Sequence, residues 1–448
     1  MDWIELIKRK SLGGSASVPK NSASETIEKL DARQKTVLLV TALGGGMVYF
    51  DFVLFAFYSP ILAKLFFPSS GSESFATYEV LVVFAAGYLV RPLGGIVLAN
   101  FGDLFGRRRI YMFSIVLMPF STFGIALAPT YESVGIAAPI SLVVFRFMQG
   151  IAIGGEVPGG WTFISEHVPR SRLALSCGLL CAGLSFGILM GCGSALVLDA
   201  VSGFQWAETY GWRLCFLLGG ILGLLAILAR KYLQETPVFR EMLAQHLLVP
   251  VLPLRVVIRD FRPSLVICML LTWLLSASIV TATLLNVNYL QRFVGYSASE
   301  ALLATAICTL ALTLSNGPVG ALVDRFGAGP VLMVGGLCMS ASALLFYSMA
   351  GVSLAHLYVL NALLGACVGI VSAVPYVMVR SFPSQVRFTG VSFAYNSAYA
   401  VFGGLTPLAI DWLAQFDRMS YAYNLCFLSG LSIAIGFYIF RKGLADLR

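Results

Sequence analysis

Twelve apolar stretches, each about long enough to cross a bilayer, constrain this chain more than any other feature. They fall at roughly 36–64, 78–101, 110–128, 137–164, 173–198, 211–232, 264–291, 299–323, 331–350, 354–379, 389–414 and 420–441. A hydrocarbon core about 30 Å thick takes roughly 20 helical residues. No water satisfies the backbone there, so a chain crosses either as helices or as a closed barrel. Barrel strands alternate apolar and polar residues over about ten positions, whereas these runs are continuous and rich in Leu, Ala and Gly. With 58% apolar and 12% charged residues, the chain is expected to be an all-α polytopic membrane protein.

A charged turn, GDLFGRRR at 102–109, is echoed half a chain later by VDRFGAGP at 323–330. Asp103 and Gly106 recur as Asp324 and Gly327. A repeat at that interval predicts two pseudo-symmetric six-helix bundles, a plan used by many transporters. The expected division is a tail at 1–35, a bundle at 36–232, a linker at 233–262, a second bundle at 263–441 and a tail at 442–448. Of the 30 Lys and Arg residues, 24 fall in the tails and the loops that alternate with them on one side. The opposite loops hold only Lys64, Arg213, Arg292 and Arg418. The positive-inside rule then puts both termini in the cytoplasm, and the net charge of +8 needs no nucleic-acid partner. The N-terminal MDWIELIKRK is too short and wrongly ordered for a secretory signal. In the linker, Arg255, Arg259 and Arg262 recur at helical spacing, which fits a basic stripe on a surface helix and equally a solvated connection.

Catalytic chemistry finds little to work with. Nine cysteines lie within apolar segments without paired metal-ligand spacing, and only three histidines are present. No metal and no cofactor is expected. The GxSxG match at 183–187 sits inside a helical run, without the strand-to-helix turn a hydrolase needs. Gly183, Gly187 and Gly191 instead form a ladder for close helix approach, and Gly150 and Gly154 read the same way.

Charges buried in hydrocarbon are costly and mark function. Four qualify: Asp51, Arg91, Arg146 and Glu156. Arg146 and Glu156 are ten residues apart on one helix, so their directions differ by roughly 80° and both can border one cavity. Around Glu156, the run GGEVPGG is expected to weaken the helix at Pro158 and to require a wet cavity beside it. A structural Arg–Glu pair is the alternative for Arg146 and Glu156.

Beyond these features, FDF (50–52), RPLGGIVLANFGDLFGRRR (91–109), FRFMQGIAIGGE (145–156), GWRLCF (211–216), QETPVF (234–239) and YNSAYAVFGGLTP (395–407) resemble the major facilitator superfamily. Within it they resemble the metabolite:proton symporters, which include proline/betaine, citrate, 2-oxoglutarate and shikimate transporters. The resemblance implies proton coupling at Asp51 and Glu156 with Arg146, and the burial of charge adds Arg91 as a second cation that keeps the empty acids ionised. The resemblance also implies a cytoplasmic gate at Asp103, Gly106 and Arg107, to which the tight turn itself adds Gly102 and Arg108 and the internal repeat adds Asp324, Arg325 and Gly327. Candidates for solute recognition are Phe55, Tyr58, Tyr88, Trp161, Trp273, Asn288, Tyr376, Tyr395, Asn396 and Tyr399.

Three departures stand out: Val48 replaces an acid common in that family, Ala99 replaces a frequent Gly, and the chain ends soon after Arg441. Regulation through the coiled-coil tail of some osmosensing relatives is therefore not expected. Aligning the halves sets Asn361 opposite Arg146 and Val371 opposite Glu156, so coupling is expected in the first half. The expected function is monomeric, proton-coupled symport of a small organic metabolite across the cytoplasmic membrane, a zwitterion such as proline or betaine. A di- or tricarboxylate symporter and a non-transporting solute sensor are the alternatives.

Overall fold

The computed structural model describes residues 29–67, 83, 86–201, 210–231, 233–245 and 252–443. Most of the N-terminal tail, the start of the second apolar stretch, the middle of the linker and the C-terminal tail from 444 lie outside the described residues. Among the described residues, twelve principal helices succeed one another, with shorter ones between them. In the first half they are α1 (Ala32–Phe57), α2 (Arg91–Phe105), α3 (Arg107–Leu127), α4 (Ala137–Ser165), α5 (Leu173–Ala200) and α6 (Trp212–Arg230). In the second they are α7 (Arg262–Ala282), α8 (Ala298–Phe326), α9 (Ala328–Met349), α10 (Leu354–Val368, prolonged by a 3₁₀ turn into Ala373–Ser381), α11 (Arg387–Ala398, continued through a π turn by Gly404–Ala414) and α12 (Ser420–Lys442). Ten helical segments among the described residues are long and apolar enough to cross a membrane. The broken α11 and the described part of α2 complete the set. Large apolar side chains such as Leu93, Leu228, Val334 and Phe440 stand exposed on the outer faces, the surface a bilayer would cover.

Local signals place the ends. Asp31 accepts from Gln34 N at 2.6 Å in a capping box that opens α1, and Ser297 with Glu300 does the same for α8. The repeated loops become two equivalent hinges: Gly106 joins α2 to α3 at φ 116° and Gly327 joins α8 to α9 at φ 83°. Side chains with a Cβ rarely adopt that backbone.

Small residues bring the helices together. A methyl on Gly183 would stand 2.2 Å from the Ala42 carbonyl oxygen, and one on Gly187 the same distance from that of Gly46, so α5 lies directly on α1. Across the two halves, Gly178 faces the Asn316 carbonyl and Gly320 that of Ala174. Ser185, of the GxSxG match, is buried in this α5–α8 seam and accepts from Asn316 Nδ2 at 3.1 Å.

Pro158 corrects one expectation. α4 runs unbroken from Ala137 to Ser165. The carbonyl that Pro158 leaves without its intrahelical donor is that of Gly154, and it accepts from Asn396 Nδ2 of α11 at 2.8 Å. The helix survives because the opposite half supplies the missing donor. In the linker, Pro253–Asp260 is a helix whose Val257 is buried while Arg255, Arg259 and Arg262 are exposed.

Candidate functional site

The space between the halves has a latched end, a buried charged layer and an open end. The latch gathers at the basic loops. Asp103, at the end of α2, accepts from Thr389 N of α11 at 2.8 Å and lies 3.4 Å from Arg107. Arg107 Nε pairs with Glu166 at 3.2 Å and the guanidinium donates to the Ser384 carbonyl. Arg387 pairs with the other oxygen of Glu166 at 3.2 Å, and Thr236 donates to Glu166 at 2.7 Å. One glutamate thus holds one arginine from each half. On the other side of the pseudo-symmetry, Asp324 accepts from Ala174 N and Leu175 N, both at 2.9 Å. A carboxylate there caps the N-terminus of α5, where amides and dipole favour an anion. Burial lowers the His167 imidazole below its ordinary range, so it brings no charge to the latch at neutral pH. Gly102 lets the Phe388 ring approach. Arg108 binds Glu235 through its amide at 3.1 Å and the Lys231 carbonyl at 3.0 Å, while Arg325 is exposed over its neighbour Phe326.

All four predicted intramembrane charges are fully or almost fully buried, but their partners differ from the expected ones. Glu156 bonds Arg230 of α6, not Arg146. Arg230 also donates to the Thr41 carbonyl at 2.9 Å and covers the Tyr111 ring. The sequence reading counted Arg230 with the loop charges because it ends α6; its long side chain reaches back into the bundle instead. The wet cavity expected beside Glu156 is a space of about 10 Å³, about one water in size.

Asp51 points away from the other half. It sits between Pro119 and Thr122 of α3 and Gly219 and Gly223 of α6, where a methyl on Gly219 would stand 2.3 Å from its Oδ1. Arg146 donates to Gln149 Oε1 at 2.8 Å and to the Phe52 carbonyl at 3.3 Å, with its guanidinium over the rings of Phe52 and Phe55.

Arg91 occupies a cage of rings from both halves. Its guanidinium carbon lies 4.0 Å from the Tyr399 centroid, 5.2 Å from Tyr395, 5.6 Å from Tyr88 and 5.9 Å from Phe52. The Tyr395 and Tyr399 hydroxyls are near, yet no guanidinium N–H meets an acceptor in bonding geometry. Tyr88 stacks on Tyr399, whose hydroxyl meets that of Tyr49 at 3.0 Å. Beside the cage is a closed central space of about 20 Å³, bordered by Tyr49, Trp161, Ser185, Asn316 and Tyr395.

The open end, away from the latch, holds a cavity of about 370 Å³ lined by Tyr58, Asp199, Asn288 and Gln291. Of the predicted recognition residues, Trp161 and Tyr395 border the central space, and Tyr88 and Tyr399 form the cage. Tyr58 and Asn288 face the open cavity, while Phe55 lies under Arg146. Three lie elsewhere. Trp273 stacks on Phe402 at 4.1 Å, Tyr376 accepts from Arg380 at 3.4 Å, and Asn396 spends its amide on Gly154. Asn361, the counterpart of Arg146, accepts from Asn286 at 2.7 Å, a neutral pair where the first half has charge.

Residues 41–407 match the family model described as Major Facilitator Superfamily. The glycine betaine/proline/ectoine/pipecolic acid transporter OusA of Dickeya dadantii is 29% identical over 91% of this chain and 84% of its own. The proline/betaine transporter of Escherichia coli is 28% identical over 91% and 83%. Among solved structures, the proton:xylose symporter XylE bound to 6-bromo-6-deoxy-D-glucose superposes with a TM-score of 0.75 at 18% identity, covering 91% of this chain and 95% of that one. Its partially occluded inward-open form from E. coli gives 0.66 at 18% identity over 92% and 98%. The chain belongs to the Major Facilitator Superfamily and is a multi-pass membrane transporter, not an enzyme.

Proposed function

We propose that this protein carries out proton-coupled symport of a small carboxylate-bearing solute, a zwitterion such as proline or a betaine, across the cytoplasmic membrane, with the latched end facing the cytoplasm. One observation carries the reading: Arg91 is a fully buried cation in a two-sided ring cage, with no carboxylate beside it among the described residues. An uncompensated buried charge costs several kcal/mol, and a solute carboxylate would supply the missing partner. The rings of Tyr49, Trp161 and Tyr395 can receive an alkylated ammonium face-on. The relatives' names agree with such a solute.

The geometry supports alternating access. The central space is too small for a solute, so loading from the 370 Å³ cavity must part the rings. Passage requires the latch to open. Of the two acids Asp51 and Glu156, Asp51 can exchange a proton without breaking a salt bridge, since Glu156 is held by Arg230. Protonation would remove a charge whose burial resists rearrangement.

A second reading has its own support: Arg91 and Arg146 both cover the Phe52 ring, an arrangement suited to a dicarboxylate. Proteoliposome counterflow with labelled betaine and labelled 2-oxoglutarate separates the two. Accumulation that collapses with a protonophore supports symport; binding without flux would mean a sensor, and transport of neither solute refutes both assignments.

A further inference from the structure

Asp51 and Arg146 are on different helices and do not touch, yet a line of polar groups runs between them. Arg146 Nη1 donates to Gln149 Oε1 at 2.8 Å, and Gln149 Nε2 donates to Thr122 Oγ1 at 3.0 Å. Thr122 gives its own proton to the Met118 carbonyl at 3.1 Å, although its hydroxyl also stands within reach of the Asp51 carboxyl. Neither Asp51 oxygen accepts a bond, and Arg146, Gln149, Thr122 and Asp51 are all fully buried.

A hydroxyl has one proton to give, and two acceptors compete for this one. Ionised Asp51 draws the Thr122 proton away from Met118. Protonated Asp51 instead donates its own, leaving Thr122 on Met118. Each change reorients the oxygen that receives Gln149, and Gln149 accepts from the Arg146 guanidinium, which also donates to the Phe52 carbonyl. Pro119, Gly219 and Gly223 also stand beside Asp51, none of them titratable, and among the described residues no charged side chain bonds its oxygens.

We propose that Thr122 and Gln149 are positioning residues that transmit the protonation state of Asp51 to Arg146, and through it to the ring-lined face between the halves. The inference rests on the symport reading. Its test uses the full chain in proteoliposomes, with labelled betaine and labelled 2-oxoglutarate as probes. Thr122→Val removes the hydroxyl at constant shape, Thr122→Ser keeps it, and Gln149→Leu removes the amide.

Thr122→Val and Gln149→Leu should lose at least about tenfold of the accumulation driven by a pH gradient and flatten its pH profile, with gradient-free counterflow held within about twofold. Thr122→Ser should retain both. A wild-type pH profile in Thr122→Val overturns the inference. So does an equal fall of counterflow and accumulation in both Thr122 variants, which would mark a packing role. Undiminished accumulation by Asp51→Asn instead overturns the underlying choice of Asp51, and the two failures are thereby told apart.

Discussion

Gly95→Ala should unlatch this transporter from within the membrane. Gly95 lies where α2 crosses α11, and an added Cβ would stand 2.2 Å from Asn396 Nδ2 and 2.8 Å from Ser392 Oγ. The least costly response is for Asn396 to swing aside, which forfeits its 2.8 Å bond to the Gly154 carbonyl. Pro158 has already deprived that carbonyl of its helical donor, so it would keep only the long 3.5 Å contact from Ser392 Oγ. Ser392, which donates to the Gly95 carbonyl at 2.9 Å, must shift as well. A net hydrogen bond contributes about 1 kcal/mol and a stranded buried polar group costs about 1–3 kcal/mol. Together they disfavour the latched state by roughly 2–4 kcal/mol, or about 30- to 700-fold in the opening equilibrium. A Ser185→Cys reporter in the central space measures the change, using a membrane-impermeant maleimide applied to vesicles of either orientation and read over a parent with Ser185 intact. Labelling from the latched side should rise at least tenfold on adding Gly95→Ala. In an Asn396→Ala background the same substitution should add less, because only the Ser392 contact remains. Unchanged labelling, or an equal effect in both backgrounds, refutes the reasoning.

Other perturbations test the remaining layers. Glu166→Gln removes the acid shared by Arg107 and Arg387, and should raise the same labelling, with Asp324→Asn acting in the same direction through α5. Either Glu156→Gln or Arg230→Met breaks a buried ion pair and should lower stability by about 3–5 kcal/mol, whereas a Glu156→Leu, Arg230→Leu double variant should recover much of the loss, as followed by thermal unfolding in detergent. Arg91→Lys keeps the charge but loses the planar group that lies on Tyr399; uptake assays should show the solute KM rising at least about tenfold with the pH profile unchanged.

Much of this architecture was legible in the chain. Hydrophobic length and the repeated Asp–Gly loop determine how many helices form and where the two halves hinge, because both depend on local periodicity and backbone freedom. Burial of Asp51, Arg91, Arg146 and Glu156 follows from the same lengths. Partners were harder to read. By its place at the end of α6, Arg230 reads as a loop charge, and in the fold its side chain turns inward to Glu156. Glu166 and Thr389 carried no motif that marked them as latch members, since each acts through neighbours far away in sequence. A polar residue one helical turn from Arg146, such as Gln149, was the one available hint of the line toward Thr122.

Asn396 shows why recognition residues are the least legible class. An asparagine on a membrane helix must satisfy its amide, and solute or a neighbouring backbone serves equally well from the viewpoint of sequence. What decided between them was Pro158, some 240 positions earlier, whose ring strips Gly154 of its donor and so creates the acceptor that Asn396 fills. The proline therefore matters less as a helix breaker than as the origin of a contact between halves. Parting the halves there would break this contact, so a feature of one helix in the first half is expected to bias the conformational equilibrium of the whole transporter.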